Sequence, residues 1–154
     1  MDCDRGHSIT TRDSVGNVIC TVDAKGQRID FTYDGANRLL TEDYLDDGTL
    51  LSAQRSPDVT YHYDTSSPHY PWLSNTNGQL AWVDDITGEE FRGYNLRGQR
   101  ETLVKRIVQL DGTSGEFTSA MLMDSLGREY QTTYADGSIV RRRYDARGLN
   151  VEIP

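Results

Sequence analysis

The sequence predicts an all-β protein, an antiparallel meander of β-hairpins forming one strongly twisted strip of sheet. Three observations predict it. A turn cassette of the form aromatic-Asp-x-x-Gly/Asn-polar recurs along the 154 residues. Its copies are spaced as successive hairpin turns are. The segments between them are rich in Tyr, Thr, Val and Ile, residues that fit a pleated surface. Internal repeats fix an architecture before any single motif does.

The strongest copies are Tyr33-Asp34-Gly35-Ala36-Asn37-Arg38 and Tyr144-Asp145-Ala146-Arg147-Gly148-Leu149. Weaker ones start at Arg12, Val22, Tyr94 and Met123. The Gly or Asn positions fall at 16, 26 and 37, then 78, 88 and 98, then 127, 137 and 148. Steps of 10 or 11 residues are the mark of antiparallel β structure, and two steps make one hairpin of 20 or 21 residues.

The cassette has a local physical logic. The Asp or Asn at the turn entry accepts hydrogen bonds from backbone N–H groups further along, as an Asx-turn. The Gly or Asn three residues later supplies the left-handed conformation that closes the loop. The preceding Tyr belongs to the strand. The residues carrying this turn chemistry are Asp13, Gly16, Asp23, Gly26, Tyr33, Asp34, Asn37, Tyr94, Asn95, Gly98, Asp124, Gly127, Asp136, Gly137, Tyr144, Asp145 and Gly148. No ligand is needed to explain them.

The strands follow in order. Residues 18–22 make an early strand that carries Cys20, and residues 59–64 make one between two irregular stretches. Residues 103–108, with Val and Ile, favour strand over helix. Residues 128–134 alternate Tyr130, Thr132 and Tyr134 against Glu129, Gln131 and Thr133. Asp136-Gly137 then predicts a two-residue turn that pairs Tyr134 with Ile139 and Thr133 with Val140. That register brings Glu129 diagonal to Arg142, as a cross-strand ion pair. Asp46-Asp47-Gly48 and Asp111-Gly112 carry the same turn signal. Residues 49–77 and 109–116 lengthen the rhythm as loop insertions within a single domain spanning 1–154.

Composition narrows the function. Net charge is −8, which disfavours nucleic acid as a partner, since phosphates require a concentrated positive field. Arg141-Arg142-Arg143 reads as a salt-bridged or solvated strand, because its side chains alternate faces. No apolar run reaches membrane-spanning length, and residues 1–7 lack the apolar core of a signal peptide. Two cysteines, Cys3 and Cys20, do not make a disulfide scaffold, and their pairing stays open.

No catalytic constellation stands out. His7, His62 and His69 lack metal-ligand spacing, and no phosphate loop or nucleophile motif is present. Residues 43–54 have the outline of a calcium loop but carry Leu45 and Gln54 at ligand positions. No cofactor or metal is expected. The aromatic loop offers Tyr70 and Trp72 as a candidate sugar-stacking pair.

The cassettes resemble the YD repeats of Rhs proteins, most closely in residues 31–39 and 143–149. The resemblance covers most of residues 10–151. That family includes bacterial polymorphic toxins, shell subunits of insecticidal toxin complexes, wall-associated proteins and teneurins. The resemblance implies hairpins stacked into part of a β-shell that encloses a toxin effector, with no enzymatic role for this segment. It implies partners in the neighbouring repeats of a longer parent chain or in an enclosed effector, while Tyr70 and Trp72 point instead to surface glycans. Self-association through strand edges is a further expectation. Secretion or display at a bacterial cell surface is implied as part of that larger protein. The core region, its aspartic self-cleavage motif and a toxin domain have no counterpart here. The expectation is therefore a segment of a longer array or one product of a split gene, with a carbohydrate- or cell-surface-binding β module as the alternative.

Overall fold

Successive hairpins run in chain order. The computed structural model describes residues 8–45, 57–109 and 111–152. The strands are β1 (Ile9–Arg12), β2 (Val18–Val22), β3 (Arg28–Tyr33), β4 (Leu39–Leu45), β5 (Val59–Tyr63), β6 (Leu80–Asp85) and β7 (Gly88–Tyr94). They continue with β8 (Arg100–Val108), β9 (Ser114–Met123), β10 (Glu129–Thr133), β11 (Ile139–Arg141), β12 (Arg143–Tyr144) and β13 (Asn150–Glu152). Strands β1 to β11 form an antiparallel 11-stranded sheet in the order of the chain, and β12 and β13 form a two-stranded ribbon. The fold is all-β, as the turn spacing predicts. No helix among the described residues is long and apolar enough to cross a membrane.

By internal contacts the chain divides into two units. One comprises residues 1–61 with 84–86, the other 62–83 with 87–154. In the first, β3 and β4 pair from Arg28↔Leu45 to Tyr33↔Leu39. Among the described residues its side chains are half-buried or exposed, so backbone pairing and cross-strand contacts carry much of its order. Thr32 and Thr41 hydroxyls meet across the pair at 2.5 Å, and Tyr61 donates to the Glu42 carboxylate at 2.7 Å. Cys20 is a free thiol on β2. Cys3, His7 and Asp46-Asp47-Gly48 lie outside the described residues.

The second unit contains the apolar core. Phe91 and Val104 on β7 and β8 are fully enclosed, and Tyr70 and Leu73 from the 64–79 connection close over them, with Trp82 at the side. Half of the predicted 49–77 insertion thus folds back as a core element. At Gly88 the strands pass so closely that an added Cβ would lie 1.9 Å from the Arg106 carbonyl oxygen, which only glycine permits. Its cause is close approach on β7, not closure of a cassette turn.

Two connections differ from the sequence reading. The 109–116 stretch closes in five residues, with Gln109 N–H donating to Thr113 O and Gly112 N–H to Gln109 O, and residues from Ser114 onward are strand. The 134–138 turn does the same: Tyr134 N–H donates to Ser138 O, and Gly137 N–H to Tyr134 O. Thr133 therefore pairs with Ile139 and Thr132 with Val140, one residue from the predicted register. The reason is that Gly137 sits at φ 83° as the left-handed residue of a three-residue loop, not as half of a two-residue turn. The Glu129 carboxylate still meets the Arg142 guanidinium, and it also accepts from the Thr132 hydroxyl.

Candidate functional site

The repeated turn is a single device built many times. In the turn at 13–17, Asp13 N–H donates to Asn17 O at 2.9 Å and Gly16 N–H to Asp13 O at 3.2 Å. The Asp13 carboxylate accepts from the N–H of Val15 and of Asn17, both at 2.9 Å. The same pattern recurs at 23–27, 34–38, 95–99, 124–128 and 145–149, with Asp23, Asp34, Asn95, Asp124 and Asp145 as the accepting residue. Gly16, Gly26, Asn37, Gly98, Gly127 and Gly148 hold the positive φ that closes each loop. Asp136 instead stands in the middle of its turn and accepts from Ser138 N–H at 2.9 Å.

The electrostatic signature follows from these bonds. Backbone N–H groups of Arg38, Arg128 and Leu149 hold the carboxyls of Asp34, Asp124 and Asp145 below the ordinary carboxylate range. Partial burial opposes the shift at Asp13, and hydrogen bonds from Asn17, Val15 and Gly16 outweigh it. Arg38 and Arg128 each return to their own turn's aspartate, at 2.7 Å.

The cassette tyrosines act as clasps. Tyr33, Tyr94 and Tyr144 donate their hydroxyls to the backbone carbonyls of Val18, Leu80 and Glu129 at 2.8, 2.8 and 2.7 Å. Each accepting residue lies just beyond the preceding turn on the same side of its unit. Neighbouring turns are also tied directly. Asn17 donates to Asn37 at 3.0 Å, Arg97 to Ser125 O at 2.9 Å and Gln99 to Gly127 O at 2.9 Å.

The aromatic loop is a cassette split open. Asp64 N–H donates to Gln79 O at 3.1 Å, and the Asp64 carboxylate accepts from Gly78 N–H at 2.7 Å. Asp64 and Gly78-Gln79 are thus the two halves of one turn, with residues 65–77 inserted between them. The signal was present in Tyr63-Asp64 and in Gly78 but was hidden by the distance separating them. Asn75 at φ 58° and its bond to Tyr94 O at 2.7 Å pin the far side of the insertion.

The structure separates the two candidate stacking residues. Tyr70 is 9% exposed, with its ring 4.4 Å from Phe91, while Trp72 is 60% exposed and meets Tyr70 edge-on at 6.1 Å. Burial, with a hydrogen bond to Glu116, pushes the Tyr70 phenol up to about 12. Of the pair, only Trp72 offers a large ring surface to solvent. His62 stacks flat on Trp82 at 3.4 Å, and burial pushes its pKa down. Among the described residues, no group of three or more His, Cys, Asp or Glu is placed to hold a metal ion.

Neither a protein-family profile nor a curated protein matches the chain. Solved structures do. The crystal structure of TcdB2-TccC3-Cdc42 matches with a TM-score of 0.76 at 18% identity, over 96% of this chain and 8% of that one. TcdB2-TccC3 gives 0.76 at 19% identity, over 97% and 8%. TcdB2-TccC3 without its hypervariable C-terminal region gives 0.73 at 20% identity, over 96% and 8%. The chain spans about 8% of the length of the chains it matches. It has the fold of a short stretch of these TcdB2-TccC3 chains, an all-β strip of hairpins as its cassettes predict.

Proposed function

We propose that the chain is a non-enzymatic wall segment of an Rhs-type shell, belonging to a longer secreted or surface-displayed bacterial protein, and that the complete shell encloses an effector. The observation that carries this reading is the combination of strand order and turn chemistry. Strands follow the chain one after another, and within each unit successive turns are tied by tyrosine clasps or turn-to-turn bonds. Such a strip grows by addition of like units, which is what a wall requires. The shared fold with TcdB2-TccC3 chains supports it. The neighbouring partners are then further YD hairpins of the parent.

The test is made on the parent protein. The coding sequence on both sides of this segment is read, and the full product is purified and imaged by electron microscopy. Hollow particles whose C-terminal region resists protease until the shell is opened are expected. A product with no further repeats, or with no enclosed volume, would overturn the reading. The exposed Trp72 keeps a surface-glycan module as the second reading. A blue shift of tryptophan emission on glycan addition, lost in Trp72→Ala, would favour it.

A further inference from the structure

The turns on one side of each unit share a feature that the sequence spacing conceals. Directly after them, the strand carries one extra residue opposite its partner. Thr11↔Cys20 is followed by Arg12↔Val18, leaving Ile19 as the extra residue. The same shift leaves Leu40, Glu101, Tyr130 and Val151 unpaired after the turns at 34–38, 95–99, 124–128 and 145–149. A bulge re-aims the side chain it carries. At four of these bulges the side chain is apolar; at Glu101 alone it is an acid.

Glu101 is half-buried, and among the described residues its carboxylate has no hydrogen-bond or ion-pair partner. It lines an open cleft of about 480 Å³ between the turns at 95–99 and 124–128. Asn75, from the inserted loop, forms one wall. Arg97 is pinned to the Ser125 carbonyl at 2.9 Å, makes no ion pair among the described residues and has further N–H groups to spare. Leu96, 94% exposed, and Met123 supply aliphatic surface. The cleft also carries Asp124, whose charge is balanced by its own Arg128 at 2.7 Å, so Glu101 and Arg97 are left as an opposite pair that sums to no net charge. That disfavours an anion, which Glu101 repels, and a cation, which Arg97 repels. Vicinal hydroxyls suit both groups: the carboxylate accepts from them, the guanidinium donates to them, and the C–H face of a ring packs on Leu96 and Met123.

We propose that the cleft is a binding site for a neutral saccharide of one or two rings, with Glu101 and Arg97 as its polar recognition pair. The volume lies within the range of about 300–1,000 Å³ usual for small-ligand sites. The site is distinct from Trp72 and does not rest on the shell reading.

The test uses the full chain, labelled with ¹⁵N and titrated with maltose, cellobiose, lactose and chitobiose. Saturable shifts confined to the amides of 95–101 and 123–125 are expected with at least one sugar. Glu101→Gln should weaken that binding roughly ten-fold, the difference between a charged and a neutral acceptor. Glu101→Ile installs the apolar bulge residue found after the turn at 13–17, and should abolish binding while the melting temperature holds or rises. Trp72→Ala should leave binding within about two-fold. Absence of saturable shifts with every sugar would overturn the proposal. So would shifts centred on residues 69–73 and lost in Trp72→Ala, or binding that survives Glu101→Ile.

Discussion

At the scale of the residue, each turn depends on an acceptor that must be charged or at least polar. Asp34 and Asp124 accept from the third and fifth N–H of their turns while holding their own arginines. Asp34→Ala should lower the melting temperature more than Asp34→Asn, because the amide oxygen still accepts from the backbone. Their folded-state pKa values lie below the unfolded value, so their stabilising effect is complete above about pH 3.9 and is lost as pH falls through the depressed folded values. Asp34→Asn should flatten that acid limb in a pH series of thermal melts. The clasp is smaller and separable. Tyr94→Phe removes the bond to Leu80 O and should cost about 1 kcal/mol in chemical denaturation, with the buried ring left in place. Gly88→Ala places a methyl group against the Arg106 carbonyl, and should destabilise the chain and break amide-exchange protection around Ile107.

At the scale of the element, the turns were legible because their chemistry is local: Asp and Gly stand three positions apart and do their work within one loop. The bulges were not legible, since the extra residue is defined by the partner strand. The one-residue error at 134–138 has the same origin, with Asp136-Gly137 fitting either loop length until Ile139 finds Thr133. Glu101 joins no motif, and only an alignment of the residues two places beyond each turn sets it apart from Ile19, Leu40, Tyr130 and Val151. The split cassette escaped notice because a gap separates its halves, although Asp64 still binds Gly78. The insertion is nonetheless part of the core. Replacing residues 65–77 by two residues should rebuild a tight turn between Asp64 and Gly78, yet strip Tyr70 and Leu73 from Phe91 and Val104. A red shift of Trp82 emission and a lower melting temperature are expected. Phe91→Ala, at a side chain with no exposed surface, should cost about 3–5 kcal/mol in denaturant unfolding.

At the scale of the whole molecule, strand order and chain order coincide, and β1 stands first in the sheet with all its side chains exposed. An exposed edge of that kind invites pairing with another strand. Sedimentation should show association that grows with concentration and weakens in Thr10→Pro, because proline cannot donate to a new ladder. A strictly monomeric species at high concentration would argue against edge pairing. The clasps carry a different consequence. Each tyrosine hydroxyl seeks a carbonyl 14 or 15 residues earlier in the chain, one that has already left the synthetic machinery when the tyrosine appears. Each hairpin that ends in such a tyrosine can therefore be fastened to finished structure as it emerges, without waiting for a distant partner. Length then becomes an inexpensive variable: a gene can gain or lose a hairpin and leave the rest of the assembly sequence unchanged.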